Sequence, residues 1–215
     1  LHGIIDSPDI PLNVSRSYLQ SDSNVKKITG HISKKVSDKL VELFKKDRKS
    51  FEEKWDSLGV FVKYGMLSDE NFFDRTKEAC LLENVDNAFK TISEYKDQVK
   101  TLQTDKHGKI VHLYTSDPEA QDTYVGAAKA RNYDVLKMDA LIDNHFIQQL
   151  EMKDSDCVFK RVDADTINNL IEKDEEAASV LSKEEEEKLK KAYEQCINDT
   201  SVSVDLKALS PEDMP

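Results

Sequence analysis

Three short apolar runs at even spacing constrain this chain more than any other feature. "KIVHLYT" (109–115), "YDVLKMD" (133–139) and "CVFKRVD" (157–163) are rich in residues that favour strands. Between them lie "SDPEAQDTYVGAAKARN" (116–132) and "DALIDNHFIQQLEM" (139–152), with apolar residues at helical spacing. A strand-helix-strand-helix-strand order calls for parallel strands, because the crossovers are long enough to return each strand to the same end of the sheet. The expected class is α/β, with a small three-layer αβα unit. Ser116, Pro118 and the acids behind them mark the start of the first crossover helix. Neither GxGxxG nor GxxxxGK[ST] occurs, so the fold class alone assigns no nucleotide site.

Upstream, the chain reads as connecting helices. Ile28, Ile32, Val36, Leu40, Leu43 and Phe44 recur three and four apart, predicting a helix over 23–47 with that stripe inward. Lys26, Lys27, Lys34, Lys35, Lys39, Lys45 and Lys46 cover the rest, as a solvated face or a surface for an acidic partner. A second helix is expected over 48–58, with Phe51, Trp55 and Leu58 inward and Gly59 as its stop. "VFVKYGML" (60–67) fits either a strand or a helix end. Residues 70–90 read as helix, and Ser93 as the N-cap of the next one. Past 163 the composition turns acidic. Ser182 with Glu185 three residues on marks a helix start, and "SVSVDLKAL" (201–209) alternates like a strand. The absence of Met at the start, and of a closing element after "LSPEDMP", predict a piece of a longer protein.

Composition removes several functions. A net charge of -11 argues against binding nucleic-acid phosphates, which needs Lys and Arg in excess. The 3 cysteines, Cys80, Cys157 and Cys196, are far apart and form no CxxC, so no zinc site or disulfide framework is expected and a reducing compartment fits. No apolar run reaches membrane-spanning length. No HExxH, catalytic triad or carboxylate pair is readable from spacing. His112, in an apolar strand, and His145, beside Phe146, read as packed histidines rather than ligands. "DPEAQD" reads as a helix start, not a metal loop.

"DSPDIPLNVSRSYLQ" (6–20) fits neither helix nor strand throughout. Pro8 and Pro11 exclude a helix interior, and Ile10, Leu12 and Val14 alternate. Ser15 can then cap a helical turn in which Asn13, Arg16 and Gln20 project in similar directions. From spacing alone, Arg16 is either a surface arginine paired with an acid or a guanidinium aimed at a phosphate.

"GIIDSPDIPLNVSRSYLQ" (3–20) resembles the signature of the heat-shock protein 90 chaperone family, G-[VIL]-[VI]-D-S-x-D-[LI]-P-L-N-[VIL]-S-R-E-x-L-Q. Ser17 replaces the family's acid, so an ion pair or cap made by that acid is missing here. "LGVFVKYGMLSDENFFDR", "TISEYKDQVK", "KIVHLYTSD" and "YDVLKMDALIDNHFIQQL" resemble later family segments in the right order. The helix and junction lengths are similar to those of bacterial members.

The resemblance implies an ATP-dependent molecular chaperone active in the stress response. Residues 1–25 would end the first middle-domain segment and carry its catalytic loop. Residues 26–165 would be connecting helices and the small αβα segment, and 166–215 the junction and the helix and strand opening the C-terminal dimerisation domain. Arg16 and Gln20 would be catalytic and contact the γ-phosphate of Mg-bound ATP, with Asn13 supporting them. The ATP pocket would lie in the family's N-terminal domain, so this stretch alone would be inactive. Implied partners are partly folded client proteins, the N-terminal ATPase domain and, in the full-length protein, a second copy in a homodimer. No nucleic acid, membrane or metal is expected, and the implied location is the cytoplasm. Two rivals stand beside this reading. One is a helical adaptor docking through the lysines of 26–46 and the acids of 172–187, and the other a nucleotide-binding domain at 109–163.

Overall fold

The computed structural model describes residues 23–173 and 183–197, together with Val204 and Leu206. They divide into two compact units. One holds the described residues up to Asp97 together with Ala140–Lys153, the other Gln98–Asp139 and the described residues from Asp154 on.

The first unit opens with α1 (Ser23–Lys46). The helix is where the periodicity placed it, but a different face is buried. Ser37 is fully buried, its hydroxyl donating to the Lys34 carbonyl at 2.9 Å, with Leu40, Val41 and Phe44 part-buried, while Ile32, Val36 and Leu43 are exposed. Apolar spacing identifies a stripe; which stripe is covered depends on the neighbour that packs against it. Here that neighbour is α4.

Asp47 caps α2 (Arg48–Glu52) by accepting from the Ser50 amide at 3.0 Å. Helix α3 (Trp55–Ser68) follows, so "VFVKYGML" is helical and Gly59 does not stop a helix. Gly59 lies inside α3 because the Trp55 indole rests on it; a Cβ there would stand 2.9 Å from Trp55 Nε1. Gly65 makes the same room for Phe72, where a Cβ would be 2.7 Å from the ring. Phe51 and Trp55 are buried as expected, and Leu58 is half-buried.

Asp69 caps α4 (Glu70–Thr76), accepting from the Asn71 amide at 2.9 Å. The expected helix over 70–90 ends there. An antiparallel hairpin takes over, β1 (Leu81–Glu83) with β2 (Phe89–Thr91). Its turn is set by Asn84, whose Oδ1 accepts from the amides of Asp86 (3.1 Å) and Ala88 (2.9 Å), and by Asn87 at φ 58°. Asparagine offers the backbone these local bonds in place of a helical ladder. Helix α5 (Ile92–Val99) starts earlier than Ser93. Thr91 Oγ1 accepts from the Glu94 amide at 3.2 Å and Glu94 Oε2 from the Thr91 amide at 2.9 Å, a capping box one turn long.

The second unit is the α/β unit read from the sequence. Strand β3 (Ile110–Thr115), α6 (Asp122–Ala130), β4 (Val135–Lys137), α7 (Asp143–Lys153) and β5 (Cys157–Arg161) follow in order, α7 counting with the first unit. The sheet order is β4-β3-β5, all parallel, with Leu113 opposite Val135 and Ile110 opposite Cys157. The chain goes out to one side of β3 and returns to the other, as in doubly wound sheets. Helix α6 starts at Asp122 rather than Ser116, because Asp117 Oδ1 accepts from the amides of Glu119 (3.2 Å) and Ala120 (3.0 Å) and closes a separate turn. Buried Gln103 ties the entrance of the sheet together, donating to the Val111 carbonyl (2.8 Å) and accepting from the Asp134 amide (2.6 Å). A short α8 (Ile167–Leu170) and α9 (Lys183–Ile197) follow. The cap at Ser182 lies outside the described residues, as does the strand expected at 201–209 apart from Val204 and Leu206.

Candidate functional site

Asn13, Arg16 and Gln20 lie outside the described residues. The first described element after them is α1, whose seven lysines named above are all exposed, as both readings of that face require. Its acids are engaged locally: Glu42 with Lys39 at 2.7 Å and Asp38 with Arg75 at 3.9 Å. The Lys39 bond and charge hold the Glu42 carboxyl below its ordinary value.

Two charge clusters inside the helical unit were not singled out from sequence. Lys63 Nζ bonds Asp143 Oδ1 at 2.6 Å, with side-chain exposures of 12% and 2%. Asp143 Oδ2 also accepts from the Ala140 amide at 3.1 Å, and the Lys63 ammonium lies 5.6 Å from the centre of the Phe146 ring. Beside this pair, burial pushes the Cys80 thiol up to about 12, so it stays protonated and inert as a nucleophile. The sequence signal was a single lysine inside the apolar run "VFVKYGML". The second cluster centres on Arg48. Its guanidinium grips Glu94 at 2.5 and 2.8 Å, Glu52 at 2.7 Å and the Phe89 carbonyl at 3.2 Å. The bond from Arg48 brings the Glu94 carboxyl down to about 2, and Glu94 raises Arg48 in turn.

In the α/β unit, the carboxyl ends of β3 and β5 form the place where doubly wound sheets bind ligands. Here side chains of the chain itself bridge them. Gln121 accepts from the Thr115 hydroxyl (2.6 Å) and the Ser116 amide (3.2 Å) and donates to Asp163 (2.7 Å), which also takes a bond from Arg161. Burial opposes the Asp163 charge, but the Arg161 and Gln121 bonds outweigh it and hold the carboxyl below its ordinary value. His112 is buried edge-on against Phe159, ring centres 4.8 Å apart, as a packed histidine should be. His145 differs from expectation: it is exposed on α7, where Phe146, Ile147 and Leu150 take the buried positions. Among the described residues no group of three or more His, Cys, Asp or Glu is placed to hold a metal, and no helix is long and apolar enough to cross a membrane.

Comparison with known proteins places this architecture. The family model described as Hsp90 protein matches residues 1–210. The chain belongs to the Hsp90 family. Chaperone protein HtpG of Porphyromonas gingivalis is 53% identical over 194 residues, covering 90% of this chain and 28% of that protein. The same protein of Bacteroides thetaiotaomicron is 48% identical over 193 residues, again 90% of this chain and 28% of the relative. The chain thus spans less than a third of the length of these relatives. Among solved structures, the middle domain of a protein described as a Plasmodium falciparum heat shock protein is similar, with a TM-score of 0.50 and 15% identity over 65% of this chain and 58% of that one. At that identity the likeness concerns the fold alone, and the α/β class read from sequence is the one it shares.

Proposed function

We propose that this chain is the later middle domain, with the opening of the C-terminal dimerisation domain, of an ATP-dependent chaperone of the HtpG type. The observation that carries the reading is the signature at residues 3–20, set inside a family match that runs over 1–210. In this reading 1–25, 26–165 and 166–215 are the catalytic-loop segment, the body of the domain and the junction. The protein works in the cytoplasm as a homodimer on partly folded clients.

Arg16 and Gln20 contact the γ-phosphate when the ATP-holding domain docks, with Asn13 in support. Their chemistry fits: a planar guanidinium fork and an amide are donors suited to phosphate oxygens. Mg-bound ATP supplies the bond that is broken. The chain's part is to bring positive charge to the oxygens at the moment of transfer, which is most of what a protein does in phosphoryl transfer. Because the arginine arrives from another domain, turnover depends on docking, and an ATPase becomes a conformational clamp.

The test is Arg16→Ala in the full-length protein. Nucleotide affinity should stay within about twofold while turnover falls at least tenfold, toward the range seen when such arginines are removed. Gln20→Ala should lose less. Unchanged turnover in Arg16→Ala overturns the assigned role.

A further inference from the structure

Past α8 the chain runs against the loop between α5 and β3, and it is fastened there in two ways. The inner fastening is apolar. Leu170 and Ile171 are 2% and 1% exposed, and their amides bond back to the Thr166 and Ile167 carbonyls at 3.0 and 3.3 Å. The outer fastening is ionic and lies in the next two residues. The Lys106 amide donates to the Glu172 carbonyl at 2.8 Å, and the Lys106 ammonium meets the Glu172 carboxylate at 2.7 Å. The Lys173 ammonium donates to the Leu102 and Thr104 carbonyls at 2.7 and 2.6 Å. The loop that receives these bonds has supports of its own. The Val111 amide donates to the Gln103 carbonyl at 2.7 Å, Asp105 accepts from the His107 and Lys109 amides at 2.9 Å each, and Lys109 Nζ reaches the Ser155 carbonyl at 2.7 Å.

We propose that Glu172 and Lys173 form an ionic strap that opens and closes while Leu170 and Ile171 stay seated. The chain then departs from the α/β unit at either of two points. The two fastenings differ in what release costs. Withdrawing Leu170 and Ile171 brings two buried apolar side chains into water, which is unfavourable. Glu172 and Lys173 are already within reach of water: the Lys106 and Glu172 side chains are 37% and 44% exposed, and Lys173 is exposed. An exposed ion pair contributes little and is screened by salt, and a segment with few buried contacts opens locally at low free energy. With the strap closed, the acidic stretch beyond Lys173 starts beside the loop at 102–106. With it open, the point of departure moves back to Ile171. The lysines set the balance, because each of the four bonds of the strap has a lysine as its donor.

The Lys106 amide reports the strap directly, since Glu172 holds its proton. The experiment is amide hydrogen exchange on the full-length protein, resolved to single amides by electron-transfer fragmentation. Lys173→Met should speed exchange at Lys106 about tenfold, while Val111, Leu170 and Ile171 stay within about twofold of the wild type. Lys173→Arg keeps a donor for the two carbonyls and should restore most of the protection. Glu172→Gln leaves the backbone bond in place. It should speed Lys106 about threefold and abolish the acceleration that about 1 M sodium chloride causes in the wild type. Equal exchange at Lys106 in Lys173→Met and the wild type overturns the proposal. So does equal acceleration at Val111 or Ile171, because the loop or the whole exit would then loosen and no separate strap would exist. A wild-type Lys106 amide indifferent to salt overturns it as well, since the strap would not be ionic.

Discussion

Segments distant in sequence are joined differently in the two units. In the helical unit they meet mainly through charges, Lys63 with Asp143, 80 residues apart, and Arg48 with Glu94, 46 apart, beside one amide bond from Gln149 to the Met66 carbonyl. In the α/β unit the interior joints are amides. Gln103 bonds Val111 and Asp134, and Gln121 spans from Thr115 to Asp163, while the ion pair Lys106–Glu172 sits at the exposed edge. The contrast follows from what each unit has to work with. A parallel sheet satisfies its own backbone and needs only a few neutral bonds where strands end. Short helices and a two-stranded hairpin leave ends and gaps, and bidentate or buried ion pairs fix their geometry more sharply than apolar contact does. The helical unit should therefore answer most to loss of a charged partner, and the α/β unit to loss of single amide bonds, with Asp163 adding an acid response of its own.

The largest effect expected is at Lys63. Lys63→Ala strands the Asp143 carboxylate in the interior and should destabilise the helical unit by about 3–5 kcal/mol, read from chemical denaturation. Lys63→Met combined with Asp143→Leu removes both charges and should recover most of that loss. If the double variant is no better than the single, the charges are not the origin of the cost. Gln103→Ala comes next, at about 2–3 kcal/mol, because it orphans a buried carbonyl and an amide together. Its penalty should be the same at pH 4 and pH 7 to within roughly 0.5 kcal/mol, since no group titrates; a marked pH dependence would erase the contrast between the units.

The smallest effect is the acid response of Glu94. Its folded carboxyl titrates near 2, below the ordinary 4.5, so the stability it lends is fully present above pH 4.5 and drains away as the pH falls toward 2. With 42% of the side chain exposed, solvent limits that contribution to at most about 1 kcal/mol. Glu94→Gln should flatten the stability of the helical unit across that window, and salt should shrink the wild-type slope. A slope unaltered by the substitution would assign the acid response to other carboxylates.

What the sequence disclosed was uneven for physical reasons. The β3–α6–β4–α7–β5 order was readable because strands and crossover helices have different periods and each run is bounded. The hairpin at 81–91 was hidden, since Leu81 and Leu82 are both buried and a doubly buried strand has no alternation; its only flag was the asparagine pair flanking the turn. Gly59 has the composition of a helix stop but the role of a seat for an indole, a matter of tertiary contact. The Lys63–Asp143 bond joins positions that only the folded chain brings together. Spacing put Asn13, Arg16 and Gln20 on one side but left an ordinary surface arginine as the better reading; their phosphate role came from the family signature.

The assignment of α7 to the helical unit has a consequence for synthesis. The polypeptide leaves that unit after Asp97, returns at Ala140 and leaves again after Lys153. A ribosome making this chain cannot complete the helical unit until α7 has emerged, by which time β3 and β4 are already outside. Until then Lys63 has no Asp143 to meet, and the nascent helices wait with an ammonium they cannot bury. A shortened product ending near Asp97 would remain in that waiting state, so the helical unit is expected to mature only once α7 has emerged.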